Sequence, residues 1–223
     1  MRALLTSRDF WIAMVRLHVG LFLFGLGVAL MLEARIGLDP WSAFHDVVSS
    51  RSGLSFGRIS QLVGFTLIVV SRLALGVRPG IATMLNMLQV GPWVDVLRPH
   101  VRFFEAGGLV PGTAQFLVGI LVLGLGTAVY IGARLGAGPR DGLAMGLARR
   151  IGRSLRASRI GIEITVLTLA AVLGGSIGLG TILFALLMGP TMQTSLRLFS
   201  VSHDPSPTIR RDGVSPPHAG GSG

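Results

Sequence analysis

The chain has 223 residues, of which half are hydrophobic and only 13% are charged, and its mean hydropathy is +0.67. Soluble domains carry about 25% charged residues, so this composition is typical of a membrane protein. The absence of cysteine excludes disulfides and thiolate metal sites. The net charge of +10 comes from arginines that lie between apolar stretches, which favours a role in membrane orientation over nucleic-acid binding.

The first half of the chain, residues 11–97, contains three apolar stretches after a short basic N-terminus, residues 1–10. The apolar stretch that follows this N-terminus is too long for the hydrophobic region of a signal peptide, so we expect a membrane span there. A polar stretch with several glycines and a proline separates the first span from the second. The three predicted spans cover residues 11–32, 59–76 and 79–97.

The second half, residues 113–199, begins with a predicted span at 113–133. Residues 160–196 carry a single charge, Glu163, and are too many for one helix across a hydrocarbon core of about 30 Å. The glycine-rich run at 174–180 predicts a break within them. The second half therefore contains a fifth and a sixth predicted span.

The same motif occurs in both halves. Residues 25–42, GLGVALMLEARIGLDPWS, align with residues 124–141, GLGTAVYIGARLGAGPRD, at an offset of 99, and residues 80–92 align with residues 178–190 at an offset of 98. Matches in this order indicate an internal duplication. The glycines in mid-span favour close contact between helices. The aligned pairs that define the motif are Gly25 and Gly124, Gly27 and Gly126, Arg35 and Arg134, Gly37 and Gly136, and Pro40 and Pro139.

An odd number of spans in each half decides how the two copies are related. With three spans per copy, the second copy enters the membrane from the opposite side, as in many transporters. The predicted fold is an all-α membrane protein of six transmembrane helices in two inverted three-helix repeats. Each repeat carries a short extra helix after its first span.

The arginines are distributed unequally between the two sides of this predicted topology. Fifteen lie on the side of the N-terminus and five lie on the opposite side. The positive-inside rule then places both termini in the cytoplasm. The loop at residues 98–112 joins the halves on the outer side. Residues 200–223, rich in Pro, Gly and Ser, are predicted to be a disordered cytoplasmic tail.

The repeated motif predicts a helix end, a turn and the start of a short helix in each half. Gly37 and Gly136 suit the left-handed turn that follows a helix. Pro40 and Pro139 suit the first turn of a new helix, where a missing N–H costs nothing. The predicted short helices cover residues 41–50 and 140–150.

These short helices have two interpretations. Ser42 and Asp141 occupy equivalent early positions, where their side chains are expected to accept free N–H groups. A re-entrant half-helix would point its positive N-terminus at a binding site near the midplane of the membrane. An interfacial helix would lie flat on the membrane. Arg149, Arg150 and Arg153 favour the interfacial position for the second helix, and the first helix is left open between the two.

Few other polar residues lie within the spans. Thr83, Asn86 and Gln89 recur at helical spacing, either as a substrate contact or, the interpretation we favour, as a hydrogen-bonded seam between helices. Arg159 and Glu163 are four residues apart and are expected to pair. If a solute crosses the membrane, the candidate path residues are Arg35, Asp39, Trp41, His45, Thr83, Asn86, Gln89, Arg134, Arg140, Asp141, Arg159 and Glu163.

Several motifs together resemble a known family. The stretches GLGVALMLEARIGLDPWSAFHDVVSS, GVRPGIATMLNMLQVGPWVD, GPRDGLAMGLARR and GGSIGLGTILFALLMGP are similar to the YczE/YyaS/YitT-type integral membrane proteins of bacteria. The resemblance implies a small inner-membrane protein of poorly defined role, and it assigns no substrate and no catalytic residue. That family usually has Pro-Trp-Asp in the first motif, whereas this chain has Ser42 after the tryptophan.

The inverted duplication and the broken-helix motif favour a transporter or channel-like protein for a small solute, by analogy of fold. Helix N-termini and arginines at the path favour an anionic group on that solute. The alternative is a membrane-embedded accessory or regulatory protein with no transport activity. An enzyme is not expected, because the sequence contains no nucleophile–base pair or metal-ligand set, and no metal or cofactor is predicted.

Overall fold

The computed structural model describes residues 8–102 and 108–198, and in these residues all regular structure is helical. The first seven residues, the centre of the loop between the halves and the predicted disordered tail lie outside the described residues. A 3₁₀ turn, Arg98–His100, follows the fourth helix. The α-helices are α1 (Arg8–Ala34), α2 (Pro40–Ser52), α3 (Phe56–Leu75), α4 (Ile81–Leu97), α5 (Leu109–Gly132), α6 (Pro139–Ile151), α7 (Leu155–Val172) and α8 (Leu179–Leu198).

Four of these helices, α1, α3, α5 and α8, are long and apolar enough to cross a membrane. The other two predicted spans differ. Helix α4 has only 17 residues, and α7 contains Arg156, Arg159 and Glu163. Large apolar side chains are exposed on the outer surface, such as Leu73, Val110 and Val172 at 80% each. Such exposure suits a surface that faces lipid.

Glycines allow α1 and α5 to approach each other closely along their lengths. A Cβ atom on Gly27 would lie 2.7 Å from the backbone of Leu123, and one on Gly20 would lie 2.5 Å from that of Tyr130. Because higher residue numbers in α1 contact lower residue numbers in α5, the two helices are antiparallel. Gly126 lies in the same contact. The other two mid-span glycines of the motif lie in contacts of α1 with α4 and of α5 with α8, where they face Trp93 (Gly25) and Thr191 (Gly124).

The breaks between helices follow the local sequence. Residues 173–178 separate α7 from α8, as the glycine-rich run predicts. The short helices begin at Pro40 and Pro139. Their capping differs from the prediction, however. Asp39 caps α2 by accepting a hydrogen bond from the backbone N–H of Ser42 at 3.2 Å, so Ser42 donates through its backbone and does not act as the cap.

Helix α6 has a second departure from the predicted capping. It is preceded by Gly138, which has no side chain to cap it. Asp141 does not serve instead, because its carboxylate accepts hydrogen bonds from Tyr130 and Arg159. The equivalent positions of the two motifs therefore have the same backbone and different side-chain roles.

The turn after α1 and the turn after α5 have the same unusual backbone. Gly37 and Gly136 have φ angles of 107° and 123°, which favour glycine. Arg35 and Arg134, two residues earlier, both have a φ of 55°, in the left-handed region that few residues other than glycine adopt. Positive φ at the same two motif positions in each half shows that these turns are built alike.

Each of these turns is bound to the first residues of a helix in the other half. In the second half, the hydroxyl of Thr181 donates to the carbonyl of Leu38 at 2.8 Å, and the N–H of Gly180 donates to the carbonyl of Ile36 at 2.7 Å. The bonds from α4 to the turn after α5 are equivalent: Thr83 Oγ1 to the Ala137 carbonyl at 2.6 Å, and Ala82 N–H to the Leu135 carbonyl at 3.0 Å. The turns and the starts of α4 and α8 thus hold the halves together.

Candidate functional site

Helices α2 and α6 begin next to each other inside the protein. The guanidinium carbon of Arg140, on the first turn of α6, lies 4.9 Å from the ring centroid of Trp41, on the first turn of α2. Trp41 is buried and Arg140 is half-buried. A guanidinium on the face of an indole is a favourable cation–π contact, and it strengthens as water is excluded. The start of one short helix therefore contacts the start of the other.

Ionised side chains surround this contact. Asp141 accepts a hydrogen bond from the hydroxyl of Tyr130 at 3.3 Å and a very short one from Arg159. Arg159 also lies 3.9 Å from Glu163. We refer to Asp39, Arg140, Asp141, Arg159 and Glu163 as the central charged cluster.

The carboxylates and cations of the central charged cluster are not evenly paired. Asp39 caps α2, and Asp141 and Glu163 share Arg159. Arg140 is different: among the described residues its guanidinium contacts the Trp41 ring but has no hydrogen bond or ion pair within 4 Å. Its five N–H donors are thus available in a part of the protein where unpaired donors are costly.

Two buried side chains close to this contact carry polar atoms without a partner among the described residues. His45 is 2% exposed, and neither of its ring nitrogens has a hydrogen-bond partner among the described residues. Its ring lies among aromatic rings, 5.5 Å from that of Phe56 and 6.3 Å from that of Trp41. Asp39 is 4% exposed, and its Oδ1 atom likewise has no partner there. Buried polar groups are normally satisfied, so these atoms are expected to meet a water or a ligand.

An open cavity of about 570 Å³ lies beside the same tryptophan, between α2, α3, α6 and α7. Its walls are almost entirely apolar and include Phe44, Ile59, Leu143 and Val166. Trp41 lines it as well, so this one side chain contacts both the apolar cavity and Arg140. The sequence pattern did not indicate this cavity, because its lining comes from four separate helices.

The predicted polar stripe on α4 is divided by the structure. Thr83 is buried, and its hydroxyl donates to the Ala137 carbonyl, which belongs to the turn after α5 and not to a helix. Asn86 lies near the start of α6, because a Cβ atom on Gly138 would be 3.7 Å from its Nδ2 atom. Gln89 is half-buried, farther along α4. Two residues of the stripe, Thr83 and Asn86, therefore lie near the turn after α5.

Not all predicted path residues come together. Arg35 and Arg134 are exposed, and Arg35 lies 3.9 Å from Glu33, outside the central charged cluster. Asp39, Trp41, His45, Arg140, Asp141, Arg159 and Glu163 do lie near the start of the two short helices, joined by the contacts given above.

A second ionic cluster centres on Glu33, which lies in the polar stretch between the first two predicted spans and was not among the candidate path residues. Its side chain is 2% exposed and accepts a hydrogen bond from Arg98 at 2.6 Å, and Arg102 lies 3.0 Å away. Arg98 also lies 3.3 Å from Asp46 of α2. Burial lowers the pKa of Arg98, but its hydrogen bond to Glu33 and the negative charges of Asp46 and Glu33 outweigh burial and raise the pKa. This arginine therefore stays charged and fastens the end of α1 to α2.

Metal binding finds no support in the described residues, where no group of three His, Asp or Glu side chains is placed to hold an ion. The central charged cluster consists of carboxylates and guanidinium groups, which interact by charge and hydrogen bonding.

Comparison with known proteins gives related sequences without an assigned activity. The chain is 35% identical to the uncharacterized membrane protein YczE of Bacillus subtilis over 79% of this chain and 82% of that protein. It is 33% identical to an uncharacterized protein of Haemophilus influenzae, over 81% of each chain. The uncharacterized protein YyaS of Bacillus subtilis is 25% identical over 77% of this chain and 86% of that protein. No solved structure matches the chain.

These relatives confirm the resemblance to YczE and YyaS, and together with the apolar helices they indicate an integral membrane protein. Residues 11–197 match the family of unknown function DUF6198. That match covers nearly all the described helices, so the chain belongs to the DUF6198 family.

Proposed function

We propose that this protein is a transporter or channel-like protein for a small solute in the bacterial inner membrane, with its path at the central charged cluster. One observation carries the proposal. Two helices too short to cross a membrane begin side by side in the protein interior, where Arg140 lies on the Trp41 ring. Short helices that start inside a membrane protein and point their N-termini at a common place are typical of transporter binding sites.

The inverted arrangement of the halves belongs to the same proposal. Helices α1 and α5 occupy equivalent positions in the sequence duplication and contact each other in antiparallel orientation. The turn of each half binds the start of a helix in the other half through equivalent hydrogen bonds. Both features are expected of copies related by an axis in the membrane plane. In this arrangement α4 and α7 serve as the third and fifth of six spans.

The orientation of the protein in the membrane follows from the arginine distribution, with both termini in the cytoplasm. Because the chain has no cysteine, single cysteines at the exposed positions Ser50 and Ser154 test this orientation cleanly. An impermeant thiol reagent added to whole cells is expected to label Ser50→Cys and to spare Ser154→Cys. Labelling of Ser154→Cys from outside would overturn the topology.

Transport itself is tested by reconstitution in liposomes and a screen of ion and solute flux. Gln89→Leu is the matched test of the path, because Gln89 is half-buried on α4. Gln193→Leu is its control, because Gln193 is exposed on α8. We expect flux in the unaltered protein and in Gln193→Leu, and reduced flux in Gln89→Leu with an unchanged melting temperature.

The screen also decides between transport and the alternative function. Absence of flux for every ion and small solute, from correctly folded and oriented protein, would support a membrane-embedded accessory or regulatory role. Equal flux in Gln89→Leu and Gln193→Leu would support transport but would show that Gln89 does not line the path.

A further inference from the structure

The boundary between Arg140 and the apolar cavity has a chemistry more specific than that of a general anion path. Trp41 separates two environments: its ring carries the guanidinium of Arg140 and also lines the cavity of about 570 Å³. A volume in this range, roughly 300–1,000 Å³, is typical of small-molecule sites. A ligand that fills both environments has one anionic end and one apolar end.

The charged end of the ligand follows from which groups already have partners. Asp141 and Glu163 lie against Arg159, and Oδ2 of Asp39 accepts a hydrogen bond from the N–H of Ser42, whereas its Oδ1 has no partner among the described residues. Arg140 is left with an unused planar fork of N–H donors, which matches a carboxylate in geometry and charge. A second observation is independent of Arg140. His45, 2% exposed and next to the Trp41 ring, has neither ring nitrogen satisfied. His45 and Arg140 thus each have unsatisfied nitrogen atoms beside the Trp41 ring.

The apolar end of the ligand follows from the cavity and its mouth. Leu62 and Leu169 line the cavity and are 55% and 49% exposed, so the cavity is continuous with the apolar outer surface. Among its lining residues Thr66 and Thr165 are the polar side chains, and each uses its hydroxyl on the carbonyl four residues earlier in its own helix. Among these lining side chains the indole N–H of Trp41 is the other polar group, so the wall is mostly apolar, which favours an aliphatic or aromatic body.

We propose that this site binds an amphipathic organic monocarboxylate, with the carboxylate on Arg140 and the apolar body in the cavity beside Trp41. The inference rests on the proposed function, since it names a substrate class for the same site. Binding nevertheless requires only the folded protein, and it is measurable without any transport.

The experiment measures equilibrium binding of radiolabelled octanoate to the whole protein in nanodiscs of zwitterionic lipid. Arg140→Gln removes the guanidinium, and Arg149→Gln is its control, because Arg149 is exposed at the far end of the same helix. We expect Arg140→Gln to raise the Kd about tenfold or more, as loss of a charge-assisted hydrogen bond does, and Arg149→Gln to leave it unchanged. Unlabelled octanoate is expected to compete, and octylamine is not.

A second pair of variants tests the apolar end and does not depend on how Arg140→Gln folds. Gly161 lines the cavity, and a Cβ atom there would meet nothing within 4 Å, so we expect the side chain of Gly161→Leu to occupy part of the cavity. Gly189 also has open space around it and lies outside the cavity lining, so Gly189→Leu is the control. We expect only Gly161→Leu to weaken octanoate binding, with unchanged melting temperatures.

Each other outcome overturns part of the argument. Binding that survives Arg140→Gln and that octylamine competes for equally would show that the cavity holds lipid chains without regard to charge, and the proposal would be wrong. If acetate competed as strongly as octanoate and Gly161→Leu had no effect, the cavity would not bind the apolar body of the ligand, and that part of the proposal would be wrong. Specific octanoate binding without any flux would leave this inference standing and overturn transport, whereas flux of other solutes without octanoate binding would do the reverse.

Discussion

The turn after α1 can be compared with the turn after α5, because they occupy equivalent positions in the two halves. Both turns have positive φ at the arginine and at the glycine of the motif. In both, backbone carbonyls accept hydrogen bonds from a threonine hydroxyl and a backbone N–H of a helix in the other half. The side chains that follow are different. Trp41 and Ser42 in the first half stand where Arg140 and Asp141 stand in the second.

The features that the two turns share belong to the backbone framework, whereas the side chains that differ belong to the candidate site. Backbone hydrogen bonds and glycines are the same in both halves because each turn must bring a short helix back into the protein. The residues on the first turns of α2 and α6 are free of that requirement, and there an aromatic ring meets a cation. Two identical copies would place like residues against each other at this point, and two arginines would repel. Divergence of the copies thus produced an attractive contact at the centre.

The sharpest test of the shared framework is substitution of the two turn glycines. A Cβ atom on Gly37 would lie 2.5 Å from the backbone nitrogen of Gly178, whereas one on Gly136 would come no closer than 3.2 Å, to Gly80. Both positions also have strained φ for alanine. We expect Gly37→Ala to lower the free energy of unfolding by about 3 kcal/mol or more and Gly136→Ala by about 1.5 kcal/mol. Denaturant unfolding in detergent measures both, and equal losses would contradict the difference in backbone approach.

The ionic clusters provide the next largest effect. Glu33 has a side chain that is 2% exposed, accepts a hydrogen bond from Arg98 and forms an ion pair with Arg102. Its substitution by glutamine removes the carboxylate that Arg98 and Arg102 share, and among the described residues it leaves Arg98 with Asp46 alone. Because Arg98 and Arg102 are themselves partly exposed, we expect Glu33→Gln to cost about 2 kcal/mol, less than loss of a fully buried pair. If Glu33→Gln lowered the free energy of unfolding by less than the substitution Glu163→Gln described below, the Glu33 cluster would not fasten α1 to α2.

Removal of the two threonine hydroxyls tests whether the halves are bound together symmetrically. Thr83→Val and Thr181→Val each remove a hydrogen bond to a turn carbonyl, at 2.6 and 2.8 Å. We expect each variant to lose about 0.6 kcal/mol, the average for hydrogen bonds between membrane helices, and the double variant to lose about the sum. A loss at one site only would show that the two turns, although alike in geometry, are unequal in energy.

The smallest effect is expected at Glu163. Its side chain is 42% exposed and 3.9 Å from Arg159, which is bound to Asp141 as well. Glu163→Gln should change the free energy of unfolding by less than about 0.5 kcal/mol. A loss above 1 kcal/mol, measured in the same detergent, would mean that Glu163 has a structural role in the central charged cluster.

Much of the helical framework is readable from the sequence. The apolar stretches, the glycine-rich break before α8 and the proline starts of α2 and α6 all depend on neighbours within a few residues. The duplication is equally a property of the sequence. The third predicted span, residues 79–97, agrees with α4 to within two residues, but α4 and α7 are shorter or more charged than typical spans. The cap of α2 was misassigned, since Asp39 and Ser42 are both capable caps and only the backbone decides between them.

The sequence by itself determined that the chain is helical, apolar and built from two similar halves, because these properties follow from composition, local spacing and internal repetition. Only the tertiary structure decided which polar residues meet. Trp41 and Arg140, or Glu33 and Arg98, are far apart along the chain and come together through the antiparallel contact of α1 with α5 and the crossed turns. Such contacts depend on how whole helices bury their faces against one another, which no local pattern contains.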